Sequence, residues 1–129
     1  MRAIRLQTEY LKNPIGIDIV NPRLSWNCED GIRQTAYQII ARANGKLVWN
    51  SGKVSSSTMT HIPYGGRKLH SRDHIDWSIK LWDENGEGGE ISHSFFEMGL
   101  LCPSDWKAKW ITGNYKVNKK ERYPVDCFR

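Results

Sequence analysis

Every second residue from Ile75 to Leu81 is apolar (Ile75, Trp77, Ile79, Leu81), and Asp76, Ser78 and Lys80 fill the gaps. An extended chain turns successive side chains to opposite faces. A period of two therefore dictates a strand with one dry and one wet face and excludes a helical stripe. Such a strand cannot stand alone: it needs sheet neighbours and a second layer over its apolar side. The surrounding stretch from His70 to Ile111 adds a second strand, a turn and the approach to another domain, with no pattern of catalytic residues. The segment reads as architecture.

Ala3 to Glu9 sets Ile4, Leu6 and Thr8 against Arg5, Gln7 and Glu9 and predicts a first strand, at an edge. Asn13, Pro14, Gly16, Asn21 and Pro22 punctuate a long connection, after which Leu24, Trp26 and Cys28 face one way and Ser25 and Asn27 the other. Beyond the Glu29-Asp30-Gly31 turn, Tyr37, Ile39, Ala41 and Ala43 alternate with Gln38, Ile40 and Arg42; apolar character on both faces predicts a central strand. Asn44-Gly45 lies between two strand-like runs. Both turn positions of a tight hairpin need positive φ, so this pair predicts one, with Leu47 to Trp49 returning. Ser51-Gly52 ends that strand, Ser55, Ser56 and Ser57 predict a polar loop, and Thr58 to Tyr64 predicts a short strand ended by Pro63, Gly65 and Gly66. Asn85-Gly86, with Gly88 and Gly89, predicts a looser hairpin into Ile91 to Met98, where adjacent Phe95 and Phe96 predict a bulge.

About seven strands, short turns and no 3.6-residue periodicity define an all-β fold, an antiparallel β-sandwich. Pro103, Ser104 and Asp105 mark a linker, and Trp106 to Ile111 reads as a further strand. The expected division is a sandwich over residues 1–101, then a C-terminal extension over 102–129 made of a linker and the truncated start of a second β-domain.

With 39% hydrophobic residues and six Trp, the chain can bury a core, which excludes disorder. Its net charge of +5 raises the question of nucleic acid, but residues 1–99 hold 12 Lys/Arg against 11 Asp/Glu, and residues 100–129 hold 7 against 3. The sandwich is nearly neutral, and the run Lys116, Lys119, Lys120, Arg122 reads as a solvated loop, so no nucleic-acid partner is expected. Cys28, Cys102 and Cys127 show neither CxxC spacing nor a companion His cluster, which predicts no zinc site and no cofactor. Cys28, in phase with Leu24 and Trp26, reads as a small buried hydrophobe. The N-terminus MRAIRLQTEY lacks an apolar run of signal-peptide length, and nowhere do 18 apolar residues follow one another. No membrane partner is expected, and the compartment stays open between cytoplasm, periplasm and secretion.

Chemistry-bearing residues are few. Asp83 and Glu84 sit beside a Gly-rich turn, but neighbouring side chains at a strand end diverge and DENG lacks the repeated oxygens of a calcium loop; a solvated hairpin is expected. His70 and His74 have metal-ligand spacing only on a helix, and they lie in a loop leading to a strand, so no metal is assigned. Ser51 and Ser55 to Ser57 have no His or Asp in a nucleophile pattern.

Six segments taken in order resemble the N-terminal part of bacterial α-L-rhamnosidases: NPIGIDIVNPRLSW (13–26), RQTAYQI (33–39), WNSGKVSSS (49–57), IPYGG with LHSR (62–72), IDWSIKLWDENG (75–86) and FFEMGLLCPSDWKAKWI (95–111). The resemblance implies an immunoglobulin or fibronectin type III-like sandwich, a second β-domain beginning near DWKAKWI, and a catalytic (α/α)6 barrel far downstream. It implies a parent enzyme, a bacterial glycosidase, that removes terminal α-L-rhamnose with inversion, using an acid and a base about 6.5–9.5 Å apart. No residue of this sequence matches a catalytic position of that family. Two departures stand out: the corner tyrosine expected six residues after Leu69 is Ile75, and a Trp expected near Glu90 and Ile91 is missing.

The implied partners are the downstream domains of the same polypeptide and, through the parent enzyme, a rhamnose-containing glycan. Trp49 and Trp82 are candidates for sugar contact, because one lies on a short edge-like strand and the other is out of phase with its strand's apolar face. Trp106 and Trp110 are expected to anchor the junction between domains. The resulting expectation is a non-catalytic scaffold module. A carbohydrate-binding module and a protein-recognition fibronectin-type module are the alternatives.

Overall fold

The computed structural model describes residues 1–111, 113 and 120. Cys127, Lys116, Lys119 and Arg122 lie outside the described residues. Among the described residues eight strands follow one another: β1 (Arg2–Thr8), β2 (Arg23–Glu29), β3 (Ala36–Ala43), β4 (Lys46–Asn50), β5 (Val54–Ser55), β6 (Ile62–Pro63), β7 (His74–Trp82) and β8 (Gly88–Glu97). They form two antiparallel sheets, one ordered β1-β2-β6 and the other β4-β3-β7-β8, with β5 pairing β3. No α-helix occurs among the described residues. The all-β sandwich expected from the alternation is the fold observed.

The core forms where the apolar periods of the two sheets meet. Ile75, Trp77, Ile79 and Leu81 of β7 are all buried, and their register partners on β3 are Ala43, Ala41, Ile39 and Tyr37, the inward set of that strand. Small residues face large ones, Ala41 against Trp77 and Ala43 against Ile75, so two adjacent strands carry bulky side chains without collision. Leu24 and Trp26 close the core from the smaller sheet, with Trp26 edge-on to Tyr37 at 5.3 Å between centroids. Cys28, expected to be buried, is half-buried, its Sγ 3.2 Å from Met59 Sδ.

One buried polar residue joins the layers. Gln34 Oε1 accepts from Trp26 Nε1 at 2.9 Å, and its amide donates to the Ser56 carbonyl at 2.9 Å and the Thr58 carbonyl at 3.2 Å. Every polar atom of this side chain is engaged, which makes its burial affordable.

The turns follow the sequence closely. Asn44 and Gly45 have φ of 49° and 78°, the two left-handed positions that the tight β3–β4 hairpin requires. In the β7–β8 hairpin, Asp83 Oδ1 accepts from the amides of Asn85 and Glu87, both at 2.9 Å, and the loop closes on itself.

Elsewhere the pattern misled. The segment read as a polar loop, Ser55 to Ser57, overlaps at Ser55 with β5, which extends the β3 edge beyond β4. The break between them is patched by Ser51, whose Oγ accepts from the Ile39 amide at 2.8 Å and whose own amide donates to the Ile39 carbonyl at 2.9 Å. The strand expected over Thr58 to Tyr64 is only β6, because His61 takes φ 57° and breaks the extended run; Trp26 still donates to the Met59 carbonyl alongside. In β1 the inward residues are Ala3, Leu6 and Thr8. Arg5, at φ 50°, sits in a bulge that turns Ile4 away from the phase its spacing suggested. The bulge expected at Phe95 and Phe96 is absent: both pair regularly with Asp76 and Ile75, and the irregularity falls at the other end of β8, between Lys80 and Trp82.

Candidate functional site

The acidic pair of the second hairpin is structural. Asp83 caps the turn, and the Glu84 carboxylate accepts from the amides of Ile32 and Arg33 at 3.3 and 3.2 Å. Bonds from backbone amides hold Glu84 below the usual carboxylate range. His70 and His74 do not converge. His70 leans on Arg67 and Asp73, whereas His74 reaches Glu97 at 2.8 Å through Nδ1 and Asp76 at 3.3 Å through Nε2 while stacking on Phe95. The bond to Glu97 raises His74 above the ordinary histidine value. Asp73 takes a two-pronged bond from Arg67, at 2.8 and 3.0 Å, which lowers it. Among the described residues, no group of three or more His, Cys, Asp and Glu is arranged to hold a metal ion.

Trp49 and Trp82 occupy different environments. Trp49 is half-buried in β4, edge-on to Tyr64 at 5.4 Å, and Gly65 lies so close that a Cβ there would come within 3.0 Å of its Nε1. Trp82 is on the outer face of the larger sheet, with Lys53 Nζ 4.6 Å and Lys80 Nζ 5.3 Å from its ring centroid. It pairs across the strands with Gly88, and the indole covers that exposed glycine backbone.

The feature that stands out is the exit from the sandwich after β8. Met98 donates to the Asp73 carbonyl at 2.8 Å, Gly99 to the Ile17 carbonyl at 2.7 Å, and Arg72 to the Gly99 carbonyl at 3.1 Å. Gly99 packs tightly here: a Cβ would come 3.0 Å from the Gly16 carbonyl oxygen, which would have to give by a few tenths of an ångström. Ser71 then holds the next residues: its Oγ accepts from the Leu101 amide at 2.8 Å and donates to the Asp105 carboxylate, which also accepts from the Cys102 amide at 3.3 Å. A single 3-10 turn, Pro103–Asp105, follows. Two loops, 14–17 and 70–73, thus clamp the chain as it leaves.

Around this clamp the surface is mixed, with apolar Val20 and Leu101 beside Lys68, His70 and Asp105. Val20, Leu69 and Leu101 line an open depression of about 490 Å³ with Ser71 and Asp105. Ile15 is 74% exposed in the adjoining loop, and beyond the turn Trp106 is 60% and Trp110 97% exposed. The sequence pointed to Trp106 and Trp110 but missed Ser71, Asp105, Ile15 and Val20. Asp105 at the end of a Pro-Ser-Asp turn carried a local signal; Ser71 carried none, because its role depends wholly on what the fold brings beside it.

The family described as Rha78A-like, N-terminal immunoglobulin domain matches residues 3–102. An α-L-rhamnosidase of Streptomyces avermitilis is 40% identical over 124 residues, covering 87% of this chain and 12% of that protein. The solved structure of Streptomyces avermitilis α-L-rhamnosidase complexed with L-rhamnose superposes with a TM-score of 0.76 at 38% identity, over 86% of this chain and 12% of that one. The α-L-rhamnosidase structure from Dictyoglumus thermophilum gives a TM-score of 0.74 at 36% identity, over 85% and 14%. The chain spans about 12% of the length of the curated relatives it matches.

Proposed function

Because the chain belongs to the Rha78A-like N-terminal immunoglobulin domain family, we propose that it braces the remainder of a longer α-L-rhamnosidase from its clamped C-terminal face. The catalytic residues of that enzyme, and its release of terminal α-L-rhamnose, belong to the rest of the polypeptide. In this reading residues 1–101 are the sandwich and 102–129 the junction, with Trp106 and Trp110 as interdomain anchors. The observation that carries it is the exit face: the family match ends at residue 102, and there the chain is hydrogen-bonded to two loops and flanked by exposed Ile15, Val20, Trp106 and Trp110. Exposed large apolar side chains gathered next to a fixed exit are what an intramolecular interface needs.

Sugar contact by the sandwich is the second reading. Trp82 is its candidate on the outer face, but Lys53 and Lys80 already lie over that ring, and Trp49 is packed under Gly65; neither placement favours a bare stacking platform.

The test is made on the longer polypeptide. Val20→Glu combined with Trp106→Ala is expected to uncouple the sandwich, so that one thermal unfolding transition becomes two. A coding region that stops at Arg129, or a double variant that melts as the parent does, would sink the proposal.

A further inference from the structure

Three irregularities of the sandwich converge on one seam. Arg5 is held at φ 50° in the β1 bulge and Asn13 at φ 47° in the following loop, left-handed conformations that L residues adopt at a cost. The inward positions of β8 opposite Ile79 and Trp77 are Ser92 and Ser94, where an apolar pair would complete the core. β1 ladders with β2 and β8 with β7, yet β1 and β8 lie side by side, and between them runs a groove of about 460 Å³. Departures from local rules that meet at one place mark a site more often than three unrelated accidents.

The lining is specific in its chemistry. Arg5, Lys12 and His93 line it as cationic or titratable residues, Gln7, Asn13 and Ser92 bring amides and a hydroxyl, and among the described residues no carboxylate lines the groove. Neither Arg5 nor Lys12 has an ion-pair partner among the described residues. In a sandwich that is otherwise nearly neutral, these two cations place positive charge at one concavity. The polar groups are oriented in advance: Ser92 Oγ donates to the Ala3 carbonyl at 2.6 Å, and Ser94 Oγ donates to Asn13 Oδ1 at 2.8 Å. Both hydroxyl oxygens keep lone pairs to accept with, and the Asn13 amide nitrogen keeps its two protons to donate. Ala3 and Leu6 supply a small apolar floor.

We propose that this groove binds an anionic saccharide, a pyranose unit bearing a carboxylate or a sulfate. The cations take the acidic group, the mixed donors and acceptors match ring hydroxyls, and the apolar floor receives ring C–H groups. Two cations are too few for a nucleic-acid backbone, which requires a longer stripe. The site lies on the β1–β8 seam and does not depend on the bracing role of the exit face.

The 129-residue chain itself is titrated, followed by amide NMR shifts, with sodium D-glucuronate, glucose 6-sulfate, methyl α-L-rhamnoside and sodium acetate at matched ionic strength. Saturable shifts at Arg5, Asn13, Ser92 and Ser94 are expected with one of the two acidic sugars, whichever of the two identifying its anion, and at least tenfold weaker binding for the neutral glycoside and for acetate. Arg5→Gln with Lys12→Gln is expected to weaken binding at least tenfold while the remaining spectrum stays unchanged. Absence of saturable shifts with both acidic sugars, an equal response to acetate, or unchanged affinity in the double variant would overturn the assignment. None of these outcomes touches the bracing proposal, which is tested on a different face and a longer polypeptide.

Discussion

Trp77 stands opposite Ala41 on one side and Ser94 on the other, and its indole is almost wholly enclosed. Trp77→Ala is expected to cost about 3–5 kcal/mol, read as a lower denaturant midpoint, because no neighbour can fill the space left. Gln34 is the polar counterpart. Gln34→Leu leaves the Trp26 Nε1–H and two carbonyls without partners, and a loss of about 2–3 kcal/mol is expected, measured in the same way. The two residues differ in how well the sequence announced them. Trp77 was legible because a period of two fixes its direction whatever surrounds it. Gln34 was not, since a glutamine between Arg33 and Thr35 looks like surface until Trp26 and the 56–58 loop are folded around it.

β3 shows how an element can be continuous while its neighbour is broken. One edge pairs with β7 along its full length, and the other meets β4 and then β5 with Ser51 spanning the gap. Ser51→Ala should strand the Ile39 amide and cost about 1–2 kcal/mol, with hydrogen exchange at Ile39 accelerating more than at the other β3 amides. The strands β2, β3 and β7 were readable because their inward positions are apolar without exception. β1 and β8 were recognised as strands, but their phase was not: a left-handed Arg5 slips the phase of one, and the other turns Ser92 and Ser94 inward, satisfied by partners 89 and 81 residues away in the chain. Hydrophobic spacing carries no information about bonds of that kind, which is also why the groove between these strands was invisible in the sequence.

On the scale of the whole molecule, charge sets how stability varies with pH. His74 is raised above its ordinary 6.5 by the bond to Glu97, so its contribution is complete below that pH and is lost as pH climbs through the raised value. Glu9 and Asp73 are lowered from 4.5 and 3.8 by their bonds to Arg23 and Arg67, so they contribute above those values and lose it as pH falls through the lowered ones. A broad maximum at about pH 5–6 is expected in urea midpoints taken across the range, with shallow sides because the pairs are partly exposed. His74→Gln should remove much of the alkaline slope. The isolated chain is expected to release no rhamnose from an aryl rhamnoside, since none of its residues matches a catalytic position of the family it resembles; turnover by pure material would contradict that. The clamp at Ser71 and Asp105 has a mechanical corollary. A chain that leaves through a fixed aperture gives whatever follows a set heading, so torque arriving at Trp106 is delivered into β7 and its neighbours and is not dissipated in a swivel. Ser71→Ala would remove the bonds to Leu101 and Asp105 and leave the proposed bracket held only by the backbone bonds of Met98 and Gly99.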